Sequence, residues 1–281
     1  MRFKLEIEYE GTRYSGWQVQ KHARTVQGEL LEALKRILPE REIDLQGAGR
    51  TDAGVHALCQ VAHLECQTRI PPDILQLKIN DELPPDIHVL HLEKAPETFH
   101  ARHSAVARSY IYQISRRRTA FGKRFVWWVK DSLNVDAMRQ ASALFVGMHN
   151  FESFTADDST EKSTKVLLAP IELKECGELI LLRFWGSHFL WKMVRQIVGV
   201  IVEVGRGKLS LAEVQSFFES KSQRPAQLTA PPSGLFFERA YYHATETPGE
   251  LKPALMLAFE TLHTSKTQGV KSHNQGKNQS V

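Results

Sequence analysis

Gln46-Gly47-Ala48-Gly49-Arg50-Thr51-Asp52-Ala53-Gly54-Val55-His56 is the stretch around which the rest of the chain is read. Three glycines bracket an arginine, a threonine and an aspartate. Glycine tolerates φ > 0, so this loop can turn sharply and bring backbone close to a ligand. The apolar flanks at 43–45 and 55–64 predict strands that hold the loop at both ends. Arg50 stands two positions from Asp52, and a neighbouring guanidinium favours an ionised carboxylate. An aspartate that attacks an electrophile must be that anion. An ordinary turn uses the same residue types, with Asp bonding its own backbone, so composition leaves both roles open. The spacing is not that of a dinucleotide loop, and no Gly-Lys-Ser/Thr follows for a P-loop. A metal site on Asp52, His56 and His63 is conceivable, but no metal-ligand spacing supports it.

A chain of 281 residues accommodates two modest domains or one large one. Apolar residues make up 42% and charged residues 24%, as in ordinary globular proteins. No apolar run approaches the roughly 18–20 residues of a membrane helix. The chain opens at once on an alternating charged pattern, so no signal peptide is expected. Cys59, Cys66 and Cys176 are odd in number and lack Cys-x-x-Cys spacing, which fits reduced thiols in the cytoplasm. The net charge of +4 is unevenly spread: residues 98–130 hold Arg102, Arg108, Arg116, Arg117, Arg118, Lys123, Arg124 and Lys130 and no acid. Tyr110, Tyr112, Phe121, Phe125, Trp127 and Trp128 lie among them. Cations for phosphates interleaved with rings for bases favour nucleic acid over a membrane.

In chain order, Phe3, Leu5, Ile7 and Tyr9 alternate with charged residues and predict a half-buried strand. Thr25 suits the N-cap of a helix carrying Val26, Leu30, Leu34 and Ile37 on one face. Short strands follow at 43–46 and 55–65, a helix at 71–80 opened by Pro71-Pro72, and a strand at 87–92. The order is β-α-β-β-α-β. It recurs after a link at 97–107. A strand at 109–115 puts Arg108, Tyr110, Tyr112 and Ile114 on one face, and an extra strand is expected at 126–129. Asn134 caps a helix, 166–174 and 179–185 form a hairpin around Cys176-Gly177, and helices span 189–204 and 211–219 before a last strand at 235–242. The expected fold is α+β: two ferredoxin-like halves, 1–103 and 104–247, with joined, mainly antiparallel sheets and a cleft between them. In the 189–204 helix, Lys192, Arg195 and Gly199 share one side. Residues 248–281 read as a polar, mostly disordered tail with one short apolar segment at 255–262.

Residues 47–57 resemble the signature of the tRNA pseudouridine synthase A family. Other segments match that family's pattern in order: 9–18, 25–29, 99–102, 107–112, 189–199 and 231–235. The resemblance spans roughly 1–243. It departs from the family's pattern at Trp191-Lys192, within 153–164, and after 247.

The resemblance implies a pseudouridine synthase fold and isomerisation of uridine to pseudouridine at tRNA positions 38, 39 and 40, in the anticodon stem-loop, with no cofactor or metal. Asp52 is then the nucleophile, attacking C6 of uracil or C1′ of the ribose. Arg195 pairs with Asp52 and aims it. Tyr110 stacks on the target base and exchanges a proton at C5, and Arg50 holds the flipped nucleotide. Arg102, Arg108 and Lys192 join the tRNA-binding surface. The resemblance also implies a cytoplasmic homodimer, with one tRNA spanning both subunits. Two other readings stand beside it: a catalytically silent RNA-binding or tRNA-chaperone protein that kept the fold, and a metal-dependent phosphohydrolase using Asp52 and His56.

Overall fold

The computed structural model describes residues 1–156 and 163–255. Part of the 153–164 segment, nearly all of the 255–262 segment and the polar end beyond it lie outside the described residues. The first part of the chain contains β1 (Arg2–Tyr9), α1 (Val26–Ile37), β2 (Asp44–Gly47), β3 (His56–Glu65), α2 (Pro72–Glu82) and β4 (Ile87–Ala95). Then come β5 (Ala107–Ser115), β6 (Trp127–Trp128), α3 (Val135–Ala143), β7 (Gly147–Asn150), β8 (Lys165–Leu168), β9 (Glu172–Cys176) and β10 (Leu179–Gly186). α4 (Met193–Gly205), α5 (Leu211–Glu219), α6 (Arg224–Gln227) and β11 (Leu235–Tyr241) complete the order.

Among the described residues, all eleven strands belong to one sheet, whose main path runs β4-β1-β3-β11-β5-β10-β8-β7, with β2 on β3, β6 on β5 and β9 on β10. Pairing is antiparallel except at β3–β11 and β5–β6. The β3–β11 pairing joins β1–β4 to the later strands, with Phe236 opposite His56. Local signals explain most boundaries. The Thr25 hydroxyl accepts from the Gly28 N–H and the Asn134 amide oxygen from that of Ala137, which satisfies first-turn donors of α1 and α3. Ser210 and Glu213 form a capping box at α5. Of α4, only Arg195 and Glu203 are not fully buried. An apolar surface all round puts a helix inside a core, and α4 packs beside α3 and α6.

Three expectations need correction. The strand foreseen at 166–174 is two, β8 and β9, because Pro170 lies between them and cannot donate to a ladder. β8 meets β10 at Leu168–Gly186 and pairs along its length with β7, an unforeseen strand, while β9 turns at Gly177 into β10. α4 begins at Met193 rather than 189, because Lys192 has a left-handed backbone (φ 61°) that no helix can continue through.

The third correction concerns the expected tail, whose first residues are docked. Side chains alternate across a strand, so Tyr112, Ile180 and Leu182 enter the main core while Ile111, Leu179 and Leu181 face the other way. Leu251 closes over that second face and is itself buried. The buried Arg183 guanidinium donates to the Gly249 carbonyl at 2.7 Å, and Lys174 Nζ donates to that of Leu251 at 3.1 Å. The Gln113 side chain accepts from the Ala254 N–H at 2.8 Å. Leu251→Ala leaves a cavity against the sheet and should cost about 2–4 kcal/mol. Chemical denaturation checks this; an unchanged midpoint would mean that the segment does not cover the sheet.

Candidate active site

Each part of the 47–56 stretch is held by a different element. Ala48 N–H donates to the Val61 carbonyl, and Gln60 reaches the Gly49 carbonyl at 3.0 Å. Trp17 N–H donates to the Thr51 carbonyl, and the Thr51 hydroxyl lies 2.8 Å from that of buried Tyr9. Gly54 N–H reaches the Tyr14 carbonyl, and Val55 N–H closes a turn onto Asp52. The Asp52 backbone is therefore over-determined by β1, β3 and the 11–17 loop. Of the three glycines only Gly54 has a positive φ (78°), and a Cβ there would meet Pro232 at 2.9 Å. Gly47 is a strand residue whose missing side chain makes room for the Trp17 ring.

The Asp52 carboxylate faces α4. Arg195 Nη1 donates to Oδ2 at 3.0 Å, while Arg195 Nε donates to the Ala230 carbonyl at 2.8 Å. The guanidinium is thus fixed by one backbone acceptor and aimed at one carboxylate oxygen. The indole N–H of Trp191 donates to the other, Oδ1, at 3.0 Å. Tyr110 is buried in edge-to-face contact with Phe189 at 4.9 Å and Phe237 at 5.1 Å. Burial pushes its phenol well above the ordinary tyrosine range, so its hydroxyl keeps its proton.

The remaining candidate residues are placed unevenly. Arg50 is exposed on the loop and makes no ion pair with Asp52; the partner is Arg195. Arg102 is exposed. Lys192 lies just before α4, with Nζ 4.8 Å from the centroid of the Trp191 ring, so it does not share a helical face with Arg195. Arg108 departs from the expected basic surface. It is buried and donates to the carbonyls of Ala48, Ala105, Ser187 and Arg102. Its charge is spent tying the aspartate loop to the segment preceding β5. Arg116 pairs with Glu175 at 2.7 Å and Arg124 with Glu10 at 3.4 Å, so acids from elsewhere answer part of the 98–130 charge. Trp191 is the residue that sequence reasoning missed as a partner of Asp52; its only signal was its place beside Lys192.

The family model described as tRNA pseudouridine synthase matches residues 6–104 and 141–243, which include Asp52, Trp191 and Arg195. The chain belongs to the tRNA pseudouridine synthase family. It is 37% identical over 254 residues to the tRNA pseudouridine synthase A of Thermodesulfovibrio yellowstonii, covering 86% of this chain and 100% of that one. It is 38% identical over 243 residues to the enzyme of that name from Geobacillus kaustophilus, covering 86% and 94%. A Thermoanaerobacter relative with the same name is 38% identical over 240 residues, covering 85% and 98%.

Two histidines of this family member have structural work. His56 Nδ1 accepts from the Gly11 N–H at 3.0 Å, Nε2 donates to the Arg124 carbonyl at 2.9 Å, and the ring stacks on Phe236. His63 Nδ1 accepts from the Ala101 N–H at 3.2 Å. Both are buried, and among the described residues no three His, Cys, Asp or Glu side chains are arranged to hold a metal ion. Burial lowers both imidazoles below the ordinary 6.5, since it disfavours the cation. The unfolded chain therefore takes up these protons first as pH falls. The stability that the neutral rings contribute is complete above 6.5 and is lost as pH drops through the lower folded values. The thermal midpoint should decline as pH falls from neutral through 6.5 and below, ahead of carboxylate titration. A flat midpoint across that interval would contradict it.

No helix among the described residues is long and apolar enough to cross a membrane.

Proposed function

We propose that this protein isomerises uridine to pseudouridine at positions 38, 39 and 40 in the anticodon stem-loop of tRNA, with Asp52 as the nucleophile. The observation that carries this reading is the Asp52 carboxylate, only partly exposed on a rigid loop, with Arg195 Nη1 at 3.0 Å from one oxygen. A carboxylate held by such a partner keeps one orientation, which an attacking group requires. It attacks the target nucleotide at C6 or C1′ and the glycosidic C–N bond breaks. The base turns within the site, C5 bonds to C1′, and the bond to Asp52 breaks, which restores the free carboxylate. C5 gives up its proton and N1 gains one, so atoms and electrons balance without an oxidant or a hydrolytic water.

A paired base cannot reach Asp52, so the nucleotide must leave the stem. Exposed Arg50, beside Asp52, takes the displaced strand's phosphates. Tyr110 supplies a ring for the base, and with its phenol protonated it serves C5 as a hydrogen-bond partner. Arg102 and Lys192 contribute positive charge along the tRNA backbone. Arg108 does not belong to that set, because its donors are already taken by carbonyls. The protein works in the cytoplasm as a homodimer with one tRNA across both subunits. Light scattering of the purified protein tests the dimer.

Pseudouridine mapping on an unmodified tRNA transcript treated with purified protein tests the function. Pseudouridine on the 3′ side of the anticodon stem-loop is the expected result. Modification elsewhere would keep the chemistry and move the substrate. Tight, salt-sensitive binding without modification would favour the silent tRNA-binding protein.

A further inference from the structure

We infer that Trp191 is a positioning residue for Asp52, its indole N–H holding one carboxylate oxygen while Arg195 holds the other. This rests on the reading of Asp52 as nucleophile. The two donors come from one short stretch and approach different oxygens, each at 3.0 Å. A single donor leaves a carboxylate free to turn about its last bond. Two on opposite oxygens fix its plane, and with it the direction from which an oxygen lone pair meets the base.

The features that bring Trp191 there contribute little to packing. A tryptophan in a core hides most of its surface, yet this one is 53% exposed. Lys192 next to it adopts φ 61°, a left-handed conformation disfavoured for a side chain other than glycine. That turn separates Trp191 from the start of α4 and lets the indole reach back across 139 positions of sequence to Asp52. Three contacts hold the pose. The Trp191 carbonyl accepts from the Ala156 N–H at 3.1 Å, the Lys192 carbonyl from the Gln196 N–H at 3.0 Å, and Lys192 Nζ sits over the indole ring. A cation on the ring face favours that placement electrostatically. An exposed aromatic on strained backbone that spends its one donor on a carboxylate serves the carboxylate.

Substitution separates the N–H from the ring. Trp191→Phe keeps an aromatic ring and loses the donor. Its kcat for pseudouridine formation should fall about tenfold, as for loss of one hydrogen bond to a charged group. KM for tRNA should stay within about twofold, because only binding shared by ground and transition states moves KM alone. Trp191→His should recover most of the rate, since its Nε2–H stands at the same remove from Cγ as the indole nitrogen. Because the side chain is half outside, the thermal midpoints of both variants should match that of the parent. A Trp191→Phe enzyme with parental kcat overturns the inference. So does a rise in KM with kcat unchanged, which would make Trp191 a tRNA contact, and so does a His variant no better than Phe. Asp52→Asn, assayed alongside, separates the two levels. If it is inactive while Trp191→Phe is unimpaired, only the role of Trp191 fails; if it turns over, the nucleophile reading fails too.

Discussion

Asp52→Asn should reduce pseudouridine formation by on the order of 10⁴-fold or more, the scale seen when a residue of a catalytic unit is removed. Its affinity for tRNA should stay within about twofold, because the change alters a reacting group rather than a phosphate contact. Asparagine has nearly the same shape, and the 47–56 backbone is held by Trp17, Tyr14, Gln60 and Arg108, while the Asp52 side chain bonds Trp191 and Arg195. The fold should therefore survive. Locally the amide is a poor substitute. Both carboxylate oxygens face donors, Trp191 Nε1 and Arg195 Nη1, so the amide nitrogen must confront one of them. Single-turnover mapping together with tRNA binding decides the matter. Binding lost in proportion to turnover would mean that Asp52 holds tRNA rather than reacting with it, and retained turnover would remove it as the nucleophile.

Gly199→Ala is the second large effect, and it acts at a distance. A Cβ at Gly199 would stand 1.7 Å from the Leu228 carbonyl oxygen and 2.7 Å from its carbon. The obstacle is backbone, so no side chain can turn aside, and α4 or the 228–230 segment must move. Arg195 is pinned between those two. Its Nε bonds the Ala230 carbonyl, and its own carbonyl accepts the Ala230 N–H at 3.0 Å. Overpacking of this kind costs about 1–3 kcal/mol, or more where backbone must shift. A displacement of about 1 Å at a catalytic group lowers turnover by about 10²-fold. Gly249→Ala, where a Cβ meets nothing within 4 Å, is the control and should leave stability within about 0.5 kcal/mol. Denaturation and single-turnover rates measure both variants. A Gly199→Ala protein as stable and active as the parent would mean that α4 does not press on the 228–230 segment.

The sequence alone determined a good deal. Alternation in 3–9, the caps at Thr25 and Asn134, and the proline pair at 71–72 are local signals. They located most elements to within a few residues, and with the ordered motifs they specified the α+β class and the family. What local patterning could not supply was partnership. Arg50 stands two residues from Asp52 in the chain, yet the ion pair is made by Arg195, 143 positions away, a partner that the family resemblance implied and local spacing did not. Neighbours along a loop point wherever its backbone sends them, whereas the packing of α4 against 228–230 aims Arg195 regardless of sequence distance.

The same limit explains Arg108, Trp191 and residues 248–255. Arg108 counts as surface charge in any composition window, but β5 is covered on both faces and the arginine has to find carbonyls inside. Trp191 reads as one apolar residue among several until the left-handed turn at Lys192 brings it to Asp52. The segment after 247 is polar enough to read as a tail, and only the apolar second face of β5 and β10 gives Leu251 somewhere to bury. Element identity follows from short-range sterics and hydrophobic period, which a sequence displays. Which charge is buried, which donor meets the carboxylate and where a terminal segment docks depend on long-range packing, and the tertiary structure decided them.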